Sequence, residues 1–311
     1  MSTFTSNFAP RIEAMLEWRT SLGHSPRDMT NAMAGFDRFC ASHYPAETVL
    51  TRELAAAWCR DTATGTWGAY RSRAVREFGK YLRLAGVDGF IVPSAWIARP
   101  GRSLPHMFTD EELAAFFRAA GSIGPEYRSP FREYTIPVIF RLIPGAGLRP
   151  PEARRLRRRD VDTENAMVMI ERSKRNKDRR VPVTGDLAGL LARFDHLADL
   201  RRPGREWFFE DRHGRQYSPS WLIAGHHLCC GLAGGIAPAS TPCTLRHNYA
   251  TRTLMRWVEE GRDIEAWLPY LAACMGHQKY SPTAWYVHLL PERLAATGLT
   301  SAAGIIPAVT P

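Results

Sequence analysis

The chain predicts a two-domain protein built predominantly of α-helices, with one small β-hairpin in a second, mixed α/β domain. Three observations carry that expectation. Its 311 residues correspond to about two domains of the usual size. Apolar residues recur at i, i+3, i+4 spacing through much of the chain, the period of a helix with one buried face. One pair of short segments separated by a polar turn has the form of paired strands. A hydrophobic content of 45% leaves ample material for a core.

Residues from about 8 to 90 read as helices and form the first domain, 1–92. Phe36, Phe39 and Cys40 share a helical face, and Trp67 to Leu84 carries apolar residues at helical spacing between Arg71, Arg73, Arg76, Lys80 and Arg83. Such a row is commonly a solvated face; this one is almost one-signed, which suits contact with phosphates equally well. The proline-containing stretch 93–106 reads as a stiff linker. Thr109-Asp110-Glu111-Glu112 has the form of a capping box, so a helix starts there, inside a second domain spanning 107–295. Met167-Val168-Met169-Ile170 leads into a polar turn, and Arg179-Arg180-Val181-Pro182-Val183 returns as the partner strand. Residues 296–311 are small and proline-containing, and read as a flexible tail or an arm that orders on a neighbour.

Charge narrows the function. Lys and Arg number 41 against 31 Asp and Glu, a formal +10, and the excess is clustered. Arg154, Arg155, Arg157, Arg158 and Arg159 form one block; Arg172, Lys174, Arg175, Lys177, Arg179 and Arg180 form another. A polyanion partner follows. The opening Met-Ser-Thr-Phe-Thr-Ser shows no basic segment followed by an apolar one, and no apolar run is long enough to span a bilayer. The six cysteines lack disulfide-scaffold or zinc spacing, and His226-His227-Leu228-Cys229-Cys230 has no second ligand arm. No metal is expected, and a reducing, cytoplasmic setting fits.

Four segments carry chemistry in a fixed order: Gly147-Leu148-Arg149-Pro150-Pro151-Glu152, then Thr244-Leu245-Arg246-His247-Asn248-Tyr249-Ala250-Thr251, then Met275-Gly276-His277, then Trp285-Tyr286. Arginine forks clamp phosphate oxygens bidentately, and a phenol is a nucleophile able to hold a phosphoryl group covalently. Arg149 precedes two prolines, which are favoured in a first helical turn, where free N–H groups already attract an anion. Gly145 and Gly147 allow close backbone approach beside it.

With these segments the chain resembles the tyrosine recombinase (integrase) family over nearly its whole length. The resemblance implies a helical core-binding domain that closes over DNA, followed by a catalytic domain. It also assigns roles. Arg149 and Arg246 become the two phosphate clamps, Glu152 an orienting carboxylate, His277 a donor to the scissile phosphate, and Tyr286 the nucleophile. Lys174, in the hairpin turn, becomes the acid that protonates the leaving 5′ oxygen, preferred over Lys177 by its place in the turn. Arg71, Arg73, Lys80, Arg175, Lys177 and Arg179 are expected to contact DNA. Tyr280 lies too close to His277 for the family spacing and is read as structural or DNA-facing. No cofactor is implied, because bond energy is kept in the phosphotyrosine. The expected partner is double-stranded DNA with paired recombination sites, bound by a homotetramer, with or without sister recombinases.

The chain departs from the family at Cys243, where the His-x-x-Arg pattern has histidine. A phenol of ordinary pKa about 10 needs help to attack at neutral pH. Cys243 could supply it as a thiolate, with Arg149 and Arg246 lowering its pKa, or could be a small buried residue filling the vacated space. Lys174, the arginine field or His247 are the other substitutes, although His247 reads first as a packed, helix-bracing residue. The segment from Met255 to Gly261, with Leu268-Pro269, resembles recombinases of transposons and plasmids. Two other readings stay open: a type IB topoisomerase, and a non-catalytic DNA-binding relative, motivated by Cys243.

Overall fold

The computed structural model describes residues 4–61, 65–97, 105–129, 131–171, 178–277, 281–287 and 290. Lys174, Arg175, Lys177, Tyr280, the tail from 296 and part of the linker lie outside the described residues. The chain divides into two compact units, Met1–Ser103 and Leu104–Pro311. Among the described residues no helix is long and apolar enough to cross a membrane.

The first unit is a helical bundle of α1 (Ala9–Ser21), α2 (Arg27–His43), α3 (Arg52–Asp61) and α4 (Gly65–Leu84). On α2, Met29, Met33, Phe36 and Cys40 recur at helical spacing and are buried. Phe36 meets Phe8, Trp58 and Phe78, with ring centroids 5.4–6.1 Å apart, so aromatic rings dominate the centre of this core. The buried Asp37 carboxylate accepts hydrogen bonds from Thr5 and Ser6 (2.8 and 2.9 Å from their backbone N–H groups), which ties the N-terminal segment to α2. The basic face expected on α4 is partly turned inward. Arg71 lies over the Trp58 ring at 4.4 Å, and Arg76 donates to the Val92 carbonyl. Arg73 and Lys80 are exposed, the latter 2.7 Å from Glu77.

The second unit begins with the expected capping box: Thr109 Oγ1 accepts from the Glu112 N–H and the Glu112 carboxylate accepts from the Thr109 N–H. Helix α5 (Asp110–Gly121) follows, then α6 (Arg132–Ala146) and the single turn α7 (Pro150–Arg154). A three-stranded antiparallel sheet comes next, ordered β1 (Val161–Asp162), β2 (Met167–Ile170), β3 (Arg179–Pro182). The expected hairpin is β2–β3, in the register Val168 to Val181 and Ile170 to Arg179. Strand β1 has only two residues, too few to leave an alternating pattern. Helices α8 (Gly185–Arg201), α9 (Pro219–Leu232), α10 (Pro242–Glu259), α11 (Ile264–Met275) and α12 (Ser281–Val287) complete the unit.

Helix α6 is buried along most of its length and packs against α5, α8 and α10. The main core joins Phe108, Phe116, Phe140, Phe194, Phe208 and Phe209. A second apolar cluster, with Leu254, Leu268, Leu271 and Met275, fastens α11 and α12 to α10. Asn248, fully buried on α10, exchanges two hydrogen bonds with the Phe108 backbone (3.1 and 3.0 Å). Those bonds fix α10, the helix that carries Arg246, to the start of the unit.

Candidate active site

Two glycines shape the site. Gly147 ends α6 and Gly276 ends α11, each left-handed with φ of 61° and 64°, a conformation L side chains rarely adopt. Neither position has room for a side chain either. A Cβ on Gly147 would stand 2.5 Å from the Tyr249 ring, and one on Gly276 would stand 2.8 Å from the Arg179 guanidinium. The reversals expose terminal carbonyls, the negative ends of their helices, and two arginines occupy them. Arg246 donates to the carbonyls of Gly147 and Met275, both at 2.6 Å. Arg149 donates to the Gly276 carbonyl at 2.8 Å.

Glu152 binds this group together. Its carboxylate accepts from the Arg149 backbone N–H at 2.8 Å and from Arg149 Nη1 at 2.7 Å. Arg179 grips it bidentately at 3.0 and 2.7 Å, and Arg246 Nη1 lies 3.9 Å away. Burial works against the charged form of Glu152, but the bonds and charges of Arg179 and Arg149 outweigh it and hold the carboxyl below its ordinary range. Its expected orienting role matches this geometry. Arg179 does not match the expected DNA contact. Its side chain is only 11% exposed, because it turns back from β3 to Glu152 and the Cys274 carbonyl. Three guanidiniums thus surround one carboxylate, leaving an excess of positive charge. Arg246 is 3% exposed; burial and then Arg149 push its pKa down to about 10, which still leaves it charged at neutral pH.

His277 bridges Arg246 to α12. Its Nε2 lies 3.1 Å from Arg246 Nη2 and its Nδ1 lies 2.7 Å from Thr283 Oγ1. A guanidinium can only donate, so Nε2 accepts and the ring proton sits on Nδ1, donated to the threonine. Burial and the neighbouring arginines push His277 down to about 4, so it is neutral. Tyr286 is 3% exposed, and its ring lies parallel to His277 at 6.4 Å between centroids. Burial raises the phenol to about 12, against the opposing pull of Arg246.

His247, expected to be a packing residue, has its Nδ1 2.7 Å from Tyr286 Oη. Its Nε2 faces Cys243 Sγ at 3.7 Å, one turn back on α10. Burial and Arg246 depress His247 to about 4. Of the two readings of Cys243, a thiolate or a small residue filling space, the second fits better: burial raises the thiol, and Arg246 and Arg149 do not reverse that. The structure therefore brings together Arg149, Glu152, Arg246, His277, Tyr286 and Cys243, adds Arg179 and His247, and leaves Arg71, Arg73 and Lys80 in the other unit.

The chain has known relatives. Residues 109–293 match the model of the phage integrase family. The chain is 32% identical over 228 residues to the tyrosine recombinase XerA of Thermococcus onnurineus, covering 71% of each chain. It is 27% identical over 306 residues to the tyrosine recombinase XerC of Bradyrhizobium diazoefficiens, covering 91% of each. In fold it is similar to the Tn1549 transposon integrase solved with transposon right-end DNA, with a TM-score of 0.65 and 13% identity over 94% of this chain and all of that one. The chain belongs to the phage integrase family and is a tyrosine-type site-specific recombinase.

Proposed function

We propose that the protein cleaves and rejoins DNA through a 3′-phosphotyrosyl link to Tyr286, and that it serves the integration, excision or transposition of a mobile element. One observation carries the mechanism: Arg149 and Arg246, from separate elements, are anchored on the carbonyls of the consecutive residues Gly276 and Met275. The residue after Arg246 holds the oxygen of Tyr286. A phosphodiester entering this excess of guanidinium charge would have its developing negative charge stabilised as Tyr286 attacks. The 5′ oxygen would leave with a proton from Lys174, and a 5′ hydroxyl from a partner strand would reverse the step.

Strand exchange implies two DNA sites and four protomers, with sister recombinases in the assembly where the element encodes them, acting in the cytoplasm. Two features support a mobile element: the segment from Met255 to Gly261 with Leu268-Pro269, and the fold likeness to a transposon integrase. The test is covalent trapping on a nicked duplex that carries the half-site selected from a random DNA library. Wild type should leave protein on the 3′ end, and Tyr286→Phe should bind equally and leave none. A wild type that binds without forming an adduct would make this a non-catalytic DNA-binding protein. An adduct in the phenylalanine variant would move the nucleophile to Tyr280.

A further inference from the structure

We propose that His247 is the group that takes the Tyr286 proton during cleavage, doing from one helical turn further on what a histidine at position 243 would do. The inference rests on the reading of Tyr286 as nucleophile. A base must lie within hydrogen-bond reach of the proton it removes, and His247 Nδ1 is 2.7 Å from Oη. His277 is not placed to act as that base, because its two ring nitrogens are held by Arg246 and Thr283 and its ring lies parallel to that of Tyr286. Cys243 meets His247 rather than the phenol.

Helix geometry explains the transfer. Positions 243 and 247 are i and i+4 on α10, stacked on one face, and both face α12. With cysteine at 243, its sulfur lies 3.7 Å from His247 Nε2. When Tyr286 donates to Nδ1, Nε2 must carry the ring proton, and it points at Sγ. Cys243 is thus a positioning residue that selects the tautomer in which Nδ1 is free to accept, the same logic by which a third group orients a catalytic base.

In the step itself, the Oη–H bond breaks and its proton passes to Nδ1 while Oη bonds to phosphorus. The P–O5′ bond breaks, and the 5′ oxygen takes its proton from a separate acid. Religation runs this backwards: a 5′ hydroxyl attacks, and Oη leaves with the proton returned by His247. The charged and titratable groups facing His247 are Cys243 and Arg246 from α10, Tyr286 from α12, and His277 from the loop between α11 and α12.

The experiment measures single-turnover cleavage of the nicked half-site duplex by full-length protein between pH 6.5 and 8.5. His247→Ala and His247→Gln should cleave at least ~100-fold more slowly than wild type at pH 7, the usual worth of a positioned base. Without a base only pre-ionised phenolate reacts, so variant rates should climb about tenfold per pH unit while wild type stays nearly flat. Adding Cys243→His to the alanine variant should restore much of the rate and the flat profile. Variants that bind the half-site and cleave at wild-type rate, or that are slow with a flat profile, overturn the proposal. If alanine prevents folding, the glutamine variant decides. Fully active His247 variants with the adduct still on Tyr286 would sink this role alone. Loss of the adduct from wild type would sink the nucleophile reading and this inference with it.

Discussion

In the N-terminal unit Arg73 and Lys80 are exposed, whereas in the C-terminal unit Arg246 is 3% exposed and held by two carbonyls. The first arrangement leaves charge at the surface, where it attracts any stretch of nucleic acid and weakens steeply with salt. The second removes charge from water, at a cost in stability that only close partners offset, and fixes its direction. Surface charge can bring DNA to the protein; only oriented, desolvated guanidiniums can single out one phosphate. Stability differs accordingly. The first unit rests on an aromatic core, the second on a core plus a polar centre whose one carboxylate, Glu152, faces three arginines.

The largest effect should come from removing that carboxylate. Glu152→Ala leaves buried guanidiniums without their counter-charge and should destabilise the C-terminal unit by about 3–5 kcal/mol. Phe36→Ala should cost the N-terminal unit about as much through lost packing. Thermal melts in sulfate separate the two causes. The anion can stand in for the carboxylate and should recover the Glu152 variant more than the Phe36 variant, while equal recovery would mean the centre is not governed by charge.

Next in size, Arg246→Ala or Arg149→Ala should remove ~3 kcal/mol of transition-state stabilisation, by analogy with losing an oxyanion-hole donor. Half-site affinity should change little. Arg73→Ala should do the reverse, weakening binding and lowering the salt slope by about one phosphate's worth while bound DNA is cleaved normally. Equal losses of affinity and cleavage in the Arg246 variant would erase the distinction between the two kinds of arginine. Smaller again, Gly147→Ala combines a φ of 61° with a 2.5 Å approach to Tyr249 and should cost about 1–3 kcal/mol, read as a lower melting temperature.

Much of this was legible in the sequence itself. Arg149, Glu152, Arg246, His277 and Tyr286 stand in short motifs that resemble the family's, and the capping box at Thr109 and the β2–β3 hairpin rest on local chemistry. The misses share a physical cause: each depends on which way a side chain faces across distant elements. Arg179 sits among six basic residues beside a turn, and nothing local says that it folds back on Glu152, 27 positions away. His247 meets Tyr286 across 39 positions, a contact set by how α12 lies on α10. The Cys243 thiol depended on whether burial or guanidinium charge prevails, and burial is a property of the packed unit.

The gentlest test of the comparison uses pH. Burial first, then neighbouring charge, depresses His226, His247 and His277 to about 4 in the folded C-terminal unit, against about 6.5 for an unfolded histidine. Above pH 6.5 neither state takes the proton, so these groups contribute no pH dependence. Between 6.5 and 4 the unfolded chain binds a proton that the folded unit refuses, so stability falls as pH falls, by about 1.4 kcal/mol per pH unit for each such histidine. Below 4 both states are protonated and the dependence ends. His226, on α9, is fully buried 2.8 Å from Ser240 and stands apart from the arginine centre. A bound phosphodiester should therefore raise His247 and His277 and flatten their share of the slope, while leaving that of His226. Melts between pH 7 and 5 should show a shallower loss for the DNA-bound protein than for the free one, and His226→Gln should remove about one histidine's worth of slope from both. If DNA leaves the slope unchanged, the phosphate does not sit among Arg149, Arg246 and the two site histidines.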